Sequence, residues 1–222
     1  MNSNQSIEID LSNESSILYI FFGGIQGRLA MPTFEFYNSA NIINENKVFI
    51  RDLSQSWYQK GLLGLCADVP SIVEYLNKMI NDINPDKIFF VGNSMGGYAA
   101  ILFAALVGKG EAIAFSPQTF LTKKMREIHT DNRWIKQIES MYRAPKINKI
   151  NQDLKLLLLV EDNKQKISIF VSMDDKLDEI HADHLSDVPY VNIFKFNKGG
   201  HSIVRLLRDQ NMLPDILSGN YA

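Results

Sequence analysis

The order of apolar segments constrains the fold of this 222-residue chain more than any other feature. Short runs rich in β-branched and aromatic residues alternate with longer segments in which apolar residues recur every three or four positions. Most of the short runs are apolar at consecutive positions, which is typical of strands covered on both faces in a parallel sheet. The pattern therefore predicts an α/β fold with a doubly wound, mostly parallel sheet and helices on both faces. The predicted strands of this kind are Ile17–Phe22, 47–50, 87–91, 112–115, 166–171 and 190–196.

Two longer segments are predicted to be helices. Apolar residues at helical spacing run over Val69–Ile83, and Pro85 prevents the helix from continuing. Residues 96–107 are apolar on nearly all sides, which indicates the most buried helix of the fold. Shorter amphipathic helices are predicted at 177–185 and 202–208, and an antiparallel edge strand at 6–11.

Composition limits the partners and the compartment of the protein. The 23 basic and 25 acidic residues leave a net charge of −2, so a nucleic-acid or anionic-membrane partner is not expected. Cys66 is the single cysteine, so no internal disulfide is possible. The first residues lack the pattern of a signal peptide, and the longest apolar stretch is too short to span a membrane. We therefore expect a cytoplasmic protein.

One domain covering residues 1–222 is expected, with a small helical cap inserted at 117–163. Residues 117–155 show no clear strand and carry nine basic against four acidic side chains. This local positive charge would favour an anionic substrate, but a solvated helical surface has the same appearance.

The sharpest motif is Gly92-x-Ser94-x-Gly96, at the junction between strand 87–91 and helix 96–107. Glycines at these two places permit a very tight turn that exposes the serine hydroxyl at its tip. The first N–H groups of the following helix can stabilise negative charge that develops near the serine. A phosphate-binding turn is the competing reading, but it would favour a different glycine spacing.

A serine hydroxyl needs a base to become a good nucleophile, and a carboxylate orients that base and stabilises its protonated form. Among the four histidines, His201 directly follows the last predicted strand, which is the position such a base requires. The acid is expected at the end of the preceding strand, 166–171. Asp174, Asp175 and Asp178 all follow that strand closely, and their positions leave the choice open.

With these motifs, nearly the whole chain resembles the α/β-hydrolase family, whose catalytic residues follow the chain order serine, acid, histidine. The resemblance implies Ser94 as nucleophile, Asp175 as acid and His201 as base. Asp175 is favoured because the acid turn of the family aligns with Ser172, Asp175, Asp178, Ala182 and Leu185.

The same resemblance implies where the oxyanion would bind and which side chains would contact substrate. The backbone N–H groups of Gly24 and Met95 are the implied oxyanion donors, with Ile25 as a near alternative; an ordinary turn at Gly24 is the competing reading. Candidate substrate-binding residues are Ile25, Trp57, Tyr58, Phe120 and Trp134.

These features together predict a serine hydrolase that cleaves a carboxylic ester or thioester through an acyl-enzyme. We expect no metal and no organic cofactor. The expected partner is a small-molecule or carrier-bound acyl substrate, with anionic substrates favoured by the basic segment. Two alternatives remain open: an acyltransferase that uses the same residues, and an inactive binding module on the same fold.

Overall fold

A mixed sheet of seven strands organises the part of the chain that the computed structural model describes, which is residues 5–11, 14–25, 40, 43–145, 147–161 and 164–221. The strand order is β1-β3-β2-β4-β5-β6-β7. The first strand pairs antiparallel with the third, and the other neighbours pair in parallel. The predicted fold class is confirmed. The strands are β1 (Ile7–Asp10), β2 (Ile17–Phe22), β3 (Asn46–Ile50), β4 (Lys87–Asn93), β5 (Glu111–Phe115), β6 (Ile167–Ser172) and β7 (Val191–Phe196).

Helices connect the strands close to the positions that the periodicity predicts. The first helix is capped at its N-terminus by Asp68, whose carboxylate accepts the N–H of Ser71 in a capping box. At its C-terminus, Asn84 adopts the left-handed conformation and ends the helix. The helices are α1 (Val69–Ile83), α2 (Met95–Val107), α3 (Lys123–Ile128), α4 (Ile135–Tyr142), α5 (Leu154–Val160), α6 (Lys176–Asp183), α7 (Ile203–Asp209) and α8 (Leu213–Ser218).

Both faces of the sheet are covered, as the consecutive apolar positions predict. Ile20 and Phe22 of β2 belong to one buried cluster, which includes side chains of α1, α2 and α5. Tyr19 and Phe21 of the same strand belong to a second cluster with α7 and α8. The two-residue period of the strand thus places alternate side chains in separate cores.

Helix α2 is the most buried helix, as its apolar sequence predicts. Twelve of its 13 residues are buried. Among the residues that the structure describes, no helix has both the length and the apolar character needed to cross a bilayer.

The sheet reverses its direction of winding between β2 and β4. The connection after β2 leads to β3 on one side, and the connection after β4 leads to β5 on the other, so the two connections diverge at the carboxyl ends of these neighbouring strands. Ligands of open α/β sheets bind at such a point. The register pairs Phe22 with Gly92, which places the ends of the two strands side by side.

Helices α3, α4 and α5 all lie between β5 and β6, in the segment predicted to be helical. The limits of a cap at 117–163 and the single domain over 1–222 stay predictions.

Replacement by alanine should affect stability very differently at the two adjacent glycines of α2, Gly96 and Gly97. A Cβ on Gly96 would lie 2.1 Å from the carbonyl oxygen of Phe22, whereas a Cβ on Gly97 would lie 3.1 Å from the oxygen of Phe115. We expect Gly96→Ala to lower the free energy of unfolding by about 3 kcal/mol, because the helix must move away from β2. Gly97→Ala should change it by less than about 1 kcal/mol, since helix propensity offsets the tight contact. Urea unfolding of both variants measures this, and equal effects would contradict the packing argument.

Candidate active site

Ser94 lies at the tip of a sharp turn between β4 and α2, as the motif predicts. Its backbone has φ 58° and ψ −122°, an unusual conformation for a residue with a side chain. The flanking glycines are required by space: a Cβ on Gly92 would lie 2.1 Å from the oxygen of Gly96. The turn therefore has the geometry of a nucleophile elbow.

His201 reaches this serine from the loop after β7. Its Nε2 lies 2.9 Å from Ser94 Oγ. The loop passes through Gly199 and Gly200 at φ 133° and 55°, conformations that favour glycine. Asp174 accepts the N–H of Gly200 at 2.9 Å, which connects the loop to the end of β6. The structure thus brings together the two residues that the sequence singled out first.

The carboxylate that contacts the imidazole is that of Asp178 rather than Asp175, which the family resemblance favoured. Asp178 Oδ2 lies 2.7 Å from His201 Nδ1, and its side chain is fully buried. Asp175 is the N-cap of α6, and its Oδ1 accepts the N–H of Asp178 at 3.1 Å. Asp178 lies one helical turn further on, where its side chain faces His201 instead.

The charge of Asp178 determines which atoms carry hydrogen in this chain of contacts. Burial alone would raise the pKa of Asp178, but hydrogen bonds from His201 and Arg133 outweigh burial and hold that pKa below its usual value. The ionised carboxylate only accepts, so His201 Nδ1–H donates to it. In the neutral imidazole, Nε2 then accepts the hydroxyl hydrogen of Ser94. This is the arrangement in which an imidazole can act as a base.

Gln118 is a third contact of the serine, and no sequence signal indicated it. Trp57 Nε1, which can only donate, lies 3.3 Å from Gln118 Oε1. The carbonyl oxygen of Ser116, which can only accept, lies 3.4 Å from Nε2. These partners fix the amide orientation, so Nε2 donates to Ser94 Oγ at 3.2 Å. Gln118 thereby holds the serine oxygen from a second side.

The predicted oxyanion donors both border the elbow. Met95 is the first residue of α2. Gly24 follows Gly23, whose N–H donates to the carbonyl oxygen of Ile50 at 2.8 Å. The hydroxyl of Tyr58 lies 2.9 Å from the carbonyl oxygen of Gly23 and supports the same loop. Their role as oxyanion donors remains a proposal.

Three of the five predicted substrate-binding side chains lie in the interior. Trp57, Tyr58 and Phe120 have no exposed surface, so they do not offer a contact surface to a ligand in this structure. Trp57 and Tyr58 act on the site through Gln118 and Gly23 instead, and Phe120 stacks on His181 with a ring separation of 3.9 Å. The remaining two, Ile25 and Trp134, are partly exposed. Trp134 packs beside the His201 ring at 5.4 Å.

Some of the basic residues of 117–155 are paired with acidic side chains. Arg126 is buried and lies 3.4 Å from Asp131. A cavity of about 720 Å³ is lined by Lys123, Arg126 and Arg143, but also by Glu127, Asp131 and Glu139. Equal numbers of cations and anions give this surface no preference for an anionic ligand.

Asp175, Asp178 and His201 each place one potential metal-ligand atom within 4.8 Å of the others. The Arg133 guanidinium already supplies positive charge there, at 2.7 Å from Asp178 and 4.0 Å from Asp175. We therefore interpret the cluster as a histidine hydrogen-bonded to a carboxylate that also pairs with an arginine, rather than as a cation site.

Comparison with known proteins places the chain in a family. A family model described as "Uncharacterised protein family (UPF0227)" matches residues 61–215, which is more than half of the chain. The chain belongs to this family. A search of curated proteins finds no significant match.

Solved structures similar to this UPF0227 chain share its fold at low sequence identity. The capsule O-acetyltransferase of Neisseria meningitidis serogroup A has a TM-score of 0.65 and 15% identity, and the match covers 94% of this chain and 90% of that one. The fluorophosphonate-binding serine hydrolase FphF of Staphylococcus aureus has a TM-score of 0.63 and 19% identity, and the match covers 94% of this chain and 84% of that one. MGS-M2, an α/β hydrolase from a Medee basin deep-sea metagenome, has a TM-score of 0.62 and 14% identity, and the match covers 97% of this chain and 94% of that one. The fold is that of the α/β hydrolases, as the resemblance predicted.

Substitution of the two neighbouring aspartates should separate their roles. Asp178→Asn should slow covalent labelling of Ser94 by a fluorophosphonate by about 10⁴-fold, because His201 loses the charge that orients and polarises it. Asp175→Asn should have little effect, since asparagine caps a helix about as well as aspartate. Labelling rates measured on folded protein check this. A larger loss in Asp175→Asn would return the acid role to Asp175.

Proposed function

We propose that this protein is a serine hydrolase that cleaves a carboxylic ester or thioester through an acyl-enzyme. The observation that carries the proposal is the continuous hydrogen-bonded chain from Ser94 through His201 to Asp178, with contacts of 2.9 and 2.7 Å. The α/β-hydrolase fold of its structural neighbours is consistent with this chemistry, but fold alone does not assign it.

In the first half of the reaction, Ser94 Oγ attacks the substrate carbonyl carbon while its proton passes to His201 Nε2. The carbonyl oxygen becomes an oxyanion, and in this proposal it accepts hydrogen bonds from the backbone N–H groups of Gly24 and Met95. Collapse of this intermediate breaks the bond to the leaving group, which takes the proton from His201. The product is an ester between the acyl group and Ser94.

In the second half, a water molecule attacks the acyl carbon and gives a proton to His201 Nε2. A second oxyanion forms in the same place and collapses with release of Ser94, which regains its proton from His201. Asp178 remains ionised and stabilises the imidazolium in both halves, because its charge is hydrogen-bonded to Nδ1. No step requires a group outside this chain and its substrates.

An ester panel tests the proposed activity. We expect hydrolysis of p-nitrophenyl esters, acyl thioesters or acetylated sugars, and the chain length and leaving group preferred would define the substrate class. Ser94→Ala should reduce the rate by at least about 1,000-fold, because the nucleophile is lost. Ser186→Ala, in an exposed turn, is the matched control and should keep full activity. Activity that survives in Ser94→Ala would refute the proposed nucleophile, and an inactive but folded protein would favour a binding module.

Acyl transfer is a second candidate function, favoured by the similarity of the fold to an O-acetyltransferase over 94% of this chain. In that reaction an alcohol or amine replaces water in the second half, with the same residues.

Product analysis distinguishes the two functions. For a hydrolase, we expect free acid to remain the main product when a sugar or another alcohol is added at millimolar concentration, because water is the acyl acceptor. Mass spectrometry of the products measures the partition. Acylated acceptor as the main product, at the expense of free acid, would favour the transferase.

A further inference from the structure

A buried cluster of charged side chains is connected to the triad through Asp178. Asp131, Asp178 and His181 have no exposed side-chain surface, and Arg133 bridges the two carboxylates. Arg133 lies between α3 and α4, in the segment that joins β5 to β6. Buried charges that face each other this closely need an explanation, because their removal from water is unfavourable.

Arg133 contacts both carboxylates with different edges of one rigid group. Its Nη1 donates to Asp178 Oδ1 at 2.7 Å. Its Nε and Nη2 donate to the two oxygens of Asp131 at 3.1 and 3.2 Å. The guanidinium is planar, so the paired contact with Asp131 fixes the direction of Nη1. The position of Asp178 Oδ1, and through it the orientation of the carboxylate toward His201, is thereby set.

Asp131 is in turn held by a histidine that stays neutral. The backbone N–H of Thr119 lies 3.1 Å from His181 Nδ1, so this nitrogen accepts a hydrogen bond and carries no proton. His181 Nε2–H then donates to Asp131 Oδ2 at 3.0 Å. Burial lowers the pKa of His181 to about 4, although Asp131 opposes the change. At neutral pH the imidazole therefore adds no charge to the cluster.

The buried part of the cluster holds two carboxylates and two guanidinium groups. Asp131 and Asp178 carry one negative charge each, and Arg126 and Arg133 carry one positive charge each. Because Arg133 lies across Asp178 from His201, removal of its charge should change the pH at which the imidazole is protonated.

We propose that Arg133 is a positioning residue that fixes the orientation of the Asp178 carboxylate toward His201 and supplies the positive charge that pairs with it. Arg133 acts on His201 through Asp178 and does not contact Ser94. The inference rests on the proposed function, because it assigns a base role to His201.

Other charged groups near this pair act in the opposite direction. Asp175 lies 4.0 Å from Arg133 Nη1, and Asp174 accepts the N–H of Gly200 next to His201. Both carboxylates favour the imidazolium. Asp178, at 2.7 Å from His201 Nδ1, acts in the same direction, and Arg133 is the cation that faces Asp175 and Asp178.

The test measures the rate of Ser94 labelling by a fluorophosphonate between pH 4 and 9. The rate falls in acid as His201 is protonated, and the midpoint of this fall reports the protonation of His201. Arg133→Gln removes a positive charge, so the midpoint should rise by about one pH unit. Asp131→Asn removes a negative charge and leaves Arg133 in place, so the midpoint should move to lower pH. General damage to the site would not produce shifts of opposite sign.

Two further variants complete the design. Arg133→Lys keeps the charge but cannot bridge both carboxylates, so it should keep a midpoint near that of the natural protein with a lower maximal rate. Lys176→Gln removes an exposed cation of α6 that pairs with Glu179, and should leave both quantities unchanged. Circular dichroism confirms folding. Where Arg133→Gln fails to fold, Arg133→Lys decides, and a maximal rate equal to that of the natural protein would overturn the positioning role.

A second measurement separates failure of this inference from failure of the proposed function. The Cε1 proton resonance of His201, assigned by its loss in His201→Gln, titrates whether or not Ser94 reacts. Shifts of opposite sign in the two variants would support the positioning role even without labelling. Labelling of the natural protein with unchanged midpoints in both variants would overturn the role of Arg133 and leave the proposed function standing. Absence of labelling in the natural protein would count against the proposed function alone.

Discussion

The close approach of α2 to the end of β2 is the constraint on which the site depends. It is possible only because Gly96 has no side chain where the helix meets the carbonyl oxygen of Phe22. The approach places the first turn of α2 beside Gly23, next to the turn that carries Ser94. Ser94 and the loop of the proposed oxyanion donor Gly24 therefore depend on one packing contact, at the point where the sheet reverses its winding.

Electrostatics organise the other half of the site. His201 reaches Ser94 from the last strand, but the carboxylate that faces it is itself held by Arg133, from the segment between β5 and β6. The segment that sequence analysis interpreted as a substrate-binding cap or a solvated helical surface thus supplies a structural cation. Part of its positive charge is neutralised inside the protein, since Asp131 contacts both Arg126 and Arg133. A charge total taken from the sequence does not distinguish such buried pairs from a charged surface.

Prediction from the sequence was most successful where a residue is required by local geometry. The strands, the main helices and the positions of Ser94 and His201 at strand ends follow from periodicity, glycine spacing and strand order. Sequence analysis favoured Asp175 over Asp174 and Asp178, whereas Asp178 contacts the imidazole in the structure. Asp175 and Asp178 lie in one turn at the start of α6, where a capping side chain and a buried one are equally compatible with the sequence. Gln118 could not be found, since its role arises from two partners that fix an amide orientation. Trp57, Tyr58 and Phe120 were candidates for substrate contact and are buried.

The sequence by itself determined the α/β architecture, the elbow and the strand end that delivers the histidine, because these depend on short-range periodicity and on the steric needs of a tight turn. Only the tertiary structure decided which carboxylate faces His201, which cation faces that carboxylate and which amide faces Ser94. These partners are separated by 23, 45 and 24 positions along the chain. Their contacts depend on the rotation of α6 and on the path of the segment between β5 and β6. No local pattern encodes either one.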